Sequence, residues 1–81
     1  MSAYRVAFAP VAEEALGKLA SPSGFRAAVA RTLGANPYGH GSTSVGGDRE
    51  RREAVVSRVI VRYVISAGIL TITVVRLIPE P

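Results

Sequence analysis

Six arginines in the second half of this 81-residue chain carry the groups best suited to chemistry, five of them within "RERREAVVSRVIVRYVIS", residues 49 to 66, and the sixth at Arg76. Nine arginines and one lysine stand against six carboxylates, for a formal charge of +4. Guanidinium is planar and always charged, and its fork of donors matches phosphate or carboxylate. Such a set therefore points to an anionic partner more than to general solubility. Groups that could move a proton are few. His40, between Gly39 and Gly41, is the single histidine, and histidine alone titrates near neutrality in its ordinary state; it reads either as a proton carrier or as a solvated loop residue. Glu50 and Glu53 read either as bases beside the arginines or as charge partners along a basic strand. Having no cysteine, the chain lacks disulfides, thiolate nucleophiles and thiolate-bound metals. Gly39, Gly41, Gly46 and Gly47 do not form a phosphate loop, because no Lys-Ser or Lys-Thr follows them.

The elements that must position these residues follow from periodicity. Residues 3–8, "AYRVAF", alternate as a half-buried strand does. "PVAEEALGKLA" opens on Pro10, places Glu13 and Glu14 in the first turn and spaces Val11, Ala15, Leu16 and Leu19 along a helix face. Glu13 and Glu14 are adjacent, hence about 100° apart on that helix, and cannot act as a catalytic pair. "SPSGFRAAVARTLGAN" predicts a second helix with Ser21 or Ser23 as cap, Phe25, Val29 and Leu33 on one face and Gly34 as a left-handed C-terminus. The stretch from Ala35 to Asp48 is glycine-rich and predicts a long loop. Three strands then follow, at about 50–57, 59–66 and 69–78. The fold class is α+β with the order β-α-α-β-β-β: a helical hairpin on one face of a small, mostly antiparallel sheet, residues 1–81 forming a single domain. The other face is left without a cover, and a groove open to a partner follows. Apolar runs are interrupted by Arg58, Arg62 and Arg76, and residues 1–8 lack the apolar core of a secretory signal, so the expectation is a cytoplasmic protein with no membrane partner.

Register decides where the arginines point. If Ser66, Ala67 and Gly68 form a three-residue loop with Gly68 left-handed, Ile65 pairs with Ile69 and Arg58 lies across from Arg76, with Arg62 on the same face. A two-residue loop would pair Ser66 with Ile69 and send Arg58 and Arg76 to opposite faces. In the first register two like charges oppose each other, an arrangement that favours an anion between them. Arg49, Arg51 and Arg52 add charge at the rim; Arg51 and Arg52 must point to opposite faces, and Arg52 is the one expected to line the trough. Tyr38 reads either as loop packing or as a base-stacking platform.

The element order, the "NPYGHGS" loop and "VGGDRERREAVVSRVIVRYVISAGILTITVVRL" resemble the RelE/ParE toxin superfamily over nearly the whole chain. The matching positions are Val45-Gly46-Gly47, then Arg51 and Arg52, then Arg58 opening "RVIVRY". The resemblance to its ribosome-dependent, YoeB-like members implies a toxin of a type II toxin-antitoxin system, a metal-independent endoribonuclease that cleaves mRNA and inhibits translation. It implies Arg58 and Arg76 on the scissile phosphate, with His40 the remaining candidate for proton transfer and Arg49, Arg51, Arg52 and Arg62 as RNA-binding residues. No metal or cofactor is implied; the partners implied are mRNA, the ribosome and an antitoxin on the uncovered sheet face. Where YoeB-like members close the last strand with a His-Tyr pair, this chain has Ile78 and Pro79. The ParE branch, which inhibits DNA gyrase by binding, and a degenerate member that only binds are the alternatives.

Overall fold

The computed structural model describes residues 3–80. Strand β1 (Arg5–Phe8) leads into helices α1 (Pro10–Gly17) and α2 (Pro22–Thr32), followed by strands β2 (Thr43–Val45), β3 (Asp48–Val56), β4 (Val59–Ser66) and β5 (Thr71–Pro79). The five strands form one sheet in the order β1-β5-β4-β3-β2. β1 runs parallel to β5, with Val6 beside Ile72 and Phe8 beside Val74, and every other pairing is antiparallel. The predicted α+β class and the helical hairpin are present. The loop expected between residues 35 and 48 contributes a short edge strand of its own, β2, which closes a hairpin through Gly46 and Gly47, both at positive φ.

Both helices start on a proline at the first helical position, where the missing N–H costs nothing. Ser21 occupies the N-cap of α2 but makes no side-chain capping bond. Gly34 is not left-handed as expected. It ends the helix by close approach, since a Cβ there would lie 2.5 Å from the Ala30 carbonyl oxygen. Its N–H bonds the Val29 oxygen and its own oxygen accepts the Tyr4 N–H, tying α2 to the start of β1. Glu13 of α1 pairs with Arg26 of α2, and the Arg26 guanidinium lies 4.9 Å from the Phe8 ring centre.

Only one face of the sheet is covered. Leu16, Phe25, Val29 and Leu33 pack on the alternate residues Val59, Val61, Tyr63 and Ile65 of β4 and on Ile72, Val74 and Leu77 of β5. Tyr63, 1% exposed, satisfies its hydroxyl by donating to the Pro37 carbonyl, which pins the long loop over this face.

The β4–β5 connection is neither of the two predicted loops. Residues Ala67–Ile69 wind a 3₁₀ turn, Leu70 rather than Gly68 takes the left-handed conformation at φ 47°, and Ser66 pairs with Thr71. The resulting register sets Ile65 against Ile72 and Tyr63 against Val74, but then shifts by one residue so that Arg62 faces Arg76. Val75 is the extra residue of this bulge. Along β5, Ile72 and Val74 point inward, so strict alternation would turn Arg76 inward as well. The bulge reverses the phase, placing Arg76 outside and Leu77 inside.

Deleting Val75 removes the extra residue and sets Arg76 directly after the inward Val74, so Arg76 should stay outside, opposite Arg62, and Leu77 inside. Leu77→Arg, by contrast, places a charge in the apolar core, where an unpaired charge costs several kcal/mol, a large part of the roughly 5–15 kcal/mol that holds a small domain together. The expected outcome in circular dichroism is a cooperative thermal transition that survives the Val75 deletion and is lost in Leu77→Arg; loss in the deletion variant would show that the two residues facing Arg62 do not act as a simple bulge.

Candidate functional site

On the uncovered face the cross-strand pairs fall into rows. Val55, Ile60 and Ile78 form an apolar row at the β3–β4 turn end; Glu53, Arg62 and Arg76 form the next, and Arg51, Val64 and Thr73 the one after. A groove of about 410 Å³ follows the charged rows, bounded by Val11 and Val75 on one side and Val45 on the other. Arg51, Arg52, Arg62 and Arg76 line it.

Directly opposed arginines repel one another. Glu53 tempers that repulsion: its Oε2 accepts from Arg62 Nε at 2.7 Å, with both side chains partly exposed. Arg76 has no ion pair or hydrogen bond from its side chain among the described residues. Arg51 makes only a long, exposed contact, 3.6 Å, to Asp48. The face thus presents three guanidiniums, one held by a carboxylate that an incoming anion can displace.

The predicted site residues are only partly brought together. Arg62 and Arg76 meet, and both Arg51 and Arg52 line the groove, Arg51 from the open face, where it pairs with Val64, and Arg52 from the edge beside Ser42, where it pairs with the inward-facing Tyr63. Arg58 is not across from Arg76. It sits in the two-residue β3–β4 turn with Ser57, both at positive φ as such a turn requires, about 13 Å of strand beyond Arg62. Its carbonyl accepts the Glu80 N–H. His40 is exposed in the loop before β2, at φ 55°, and lies outside the groove lining. The pairing of Arg62 with Arg76 escaped the sequence reading because a continuous ladder was assumed. The double valine in "ITVVRL", which breaks the alternation just before the charge, was the available signal.

A second cluster adjoins the groove at the β2 end. Tyr38, half-buried and packed on the core edge, donates its hydroxyl to Glu50 Oε2 at 2.8 Å. The Arg49 guanidinium lies 4.6 Å from its ring centre and that of Arg52 5.7 Å. Arg52 is fastened by three bonds: Nε to Ser42 Oγ at 2.9 Å, one terminal nitrogen to the Ser42 carbonyl at 3.1 Å and the other to the Arg49 carbonyl at 3.2 Å. The bond to Glu50 raises the Tyr38 pKa above its usual value of 10.0, with desolvation adding to the effect.

The chain is similar in structure to solved proteins. A chain of the RelBE2 toxin-antitoxin complex of Mycobacterium tuberculosis superposes with a TM-score of 0.77 at 20% identity, over 96% of this chain and 99% of that one. The chain has the RelE-like α+β fold. No family model and no curated protein matches the sequence. Among the described residues, no helix is long and apolar enough to cross a membrane.

Two measurements test the geometry. Tyr38 should remain protonated as pH rises past 10, and Glu50→Gln should bring its ionisation down toward the ordinary value; ultraviolet difference titration against Tyr38→Phe reads this directly. The raised pKa means that the contribution of the Tyr38–Glu50 bond to stability is complete below pH 10 and is lost as pH rises through the folded-state value. Glu53→Gln should tighten binding of inorganic tetraphosphate about two- to fivefold by releasing Arg62, the scale of a partly exposed ion pair. Calorimetry showing no change would mean that Glu53 does not compete with anions.

Proposed function

We propose that this chain is the toxin of a type II toxin-antitoxin pair and that its groove binds mRNA and cleaves it. The observation that carries this reading is the Arg62–Arg76 pair, facing each other on the uncovered side of a fold shared with the toxin-antitoxin complex. In the cleavage step the RNA 2′-hydroxyl attacks its own 3′ phosphorus, forming the new O–P bond. The bond to the 5′ oxygen of the next nucleotide then breaks, leaving a cyclic phosphate and a 5′-hydroxyl. The nucleophile's proton goes to a base and the leaving oxygen receives one. Arg62 and Arg76 neutralise the charge that accumulates on the pentacovalent phosphate, and Arg51 holds a neighbouring phosphate. These roles replace the one expected of Arg58, which sits on the far turn. Glu53, in hydrogen-bond contact with Arg62, is the carboxylate placed to accept the proton. An acidic antitoxin segment would occupy the same open face, its carboxylates on the arginine rows and its apolar residues on Val55, Ile60 and Ile78.

One observation favours a second reading. Among the described residues lining the groove, no side chain ordinarily titrates near neutrality. A toxin of the ParE kind, which inhibits gyrase by binding, needs no proton donor.

The test incubates purified protein with labelled mRNA, with and without ribosomes. The expected result is cleavage that falls by about a hundredfold or more in Arg62→Ala and Arg76→Ala, the scale of losing a donor to the transition-state oxyanion, and much less in Arg58→Ala. Absence of cleavage by folded protein under both conditions, together with inhibited supercoiling by gyrase, would establish the second reading instead.

A further inference from the structure

Among the described residues Arg49, like Arg76, is an arginine of the strand region that no carboxylate holds. Arg52 has three nitrogens bonded to the chain, Arg62 has Glu53, and Arg51 has Asp48. Among the described residues Arg49 makes neither an ion pair nor a side-chain hydrogen bond. It is exposed, and its guanidinium lies over the Tyr38 ring. The ring beneath it is fixed from several directions: its hydroxyl by Glu50, its edge by the core, and its loop by the bond from Tyr63 to the Pro37 carbonyl. The outer side of Arg49 is thus an exposed cationic surface resting on a ring that is fixed before anything binds. Arg52, which both lines the groove and approaches the Tyr38 ring, connects the two features. Arg49 is about 7 Å of strand from Arg51.

We propose that the Tyr38–Arg49 stack is a platform on which one unpaired base of single-stranded RNA lies, while the phosphates of the same strand follow Arg51, Arg62 and Arg76. The inference rests on the reading of the groove as an RNA site. A base recognises such a platform by its π face, and stacking on guanidinium planes is a usual way to hold splayed bases. The stack is preorganised, so little ordering cost attends binding. Phosphate contacts supply affinity that depends on salt and not on the base, whereas the platform rewards the presence of a base at one position.

The experiment uses a 2′-O-methylated RNA hexamer, which lacks the nucleophile, and a set of hexamers with a single abasic position moved along the strand. The unaltered protein should bind one abasic hexamer about tenfold more weakly than the complete strand, as expected for loss of one stacked base. Arg49→Lys keeps the charge but not the plane. It should remove that discrimination while leaving the salt dependence unchanged. Equal discrimination in Arg49→Lys, or equal binding of all hexamers by the unaltered protein, would overturn the platform, and the latter would mark Arg49 as a phosphate or acidic-peptide contact. If Arg62→Ala and Arg76→Ala still abolish binding in that case, the groove stands without the platform. If the unaltered protein binds no hexamer, the groove and the platform fall together.

Discussion

The site depends on one change of phase in one strand. β5 begins with Ile72 and Val74 directed into the core and, if it continued unbroken, would direct Arg76 there too. The bulge at Val75 is what lets a strand that is apolar along most of its length supply both the last core residue, Leu77, and the guanidinium opposite Arg62. The core requires this as much as the groove does. Without the shift, Leu77 would face water while a charge entered a layer whose members are at most a few per cent exposed.

From that constraint the rest of the open face follows. With Arg62 and Arg76 opposed, Glu53 on the neighbouring strand falls opposite Arg62 and tempers the repulsion, and Arg51 lies one row further along. The helical hairpin has the material to cover only the other face. The uncovered side is therefore ordered into stripes, apolar near the β3–β4 turn and cationic beyond it. A partner must match both stripes in sequence and direction, which selects more narrowly than net charge alone.

The helices and the C-terminal strands were legible in the sequence because each rests on a period: 3.6 for "FRAAVARTL", 2 for "VIVRYVI". What was not legible depended on contacts between segments. The 3₁₀ turn at Ala67–Ile69 adds residues to a connection that Gly68 alone suggested would be tight. The longer turn and the bulge together moved the partner of Arg76 from the expected Arg58 to Arg62. Arg51 and Arg52 were correctly assigned to opposite faces and Arg52 does line the groove, but that Arg51 lines it too was not legible, because face identity comes from the pairing of β3 with β4 and not from β3 itself. Gly34 was correctly singled out for the wrong reason, its role being a backbone approach that no single-sequence pattern encodes.

Among the described residues, four other than glycine, His40, Ser57, Arg58 and Leu70, adopt left-handed backbone conformations, and all four lie in connections between elements. Each costs on the order of 1 kcal/mol relative to a residue at ease there. Asparagine or glycine at these sites would recover part of that cost without altering a side chain that lines the groove. The persistence of the folded chain can therefore be adjusted separately from what it grips, by changes confined to its bends.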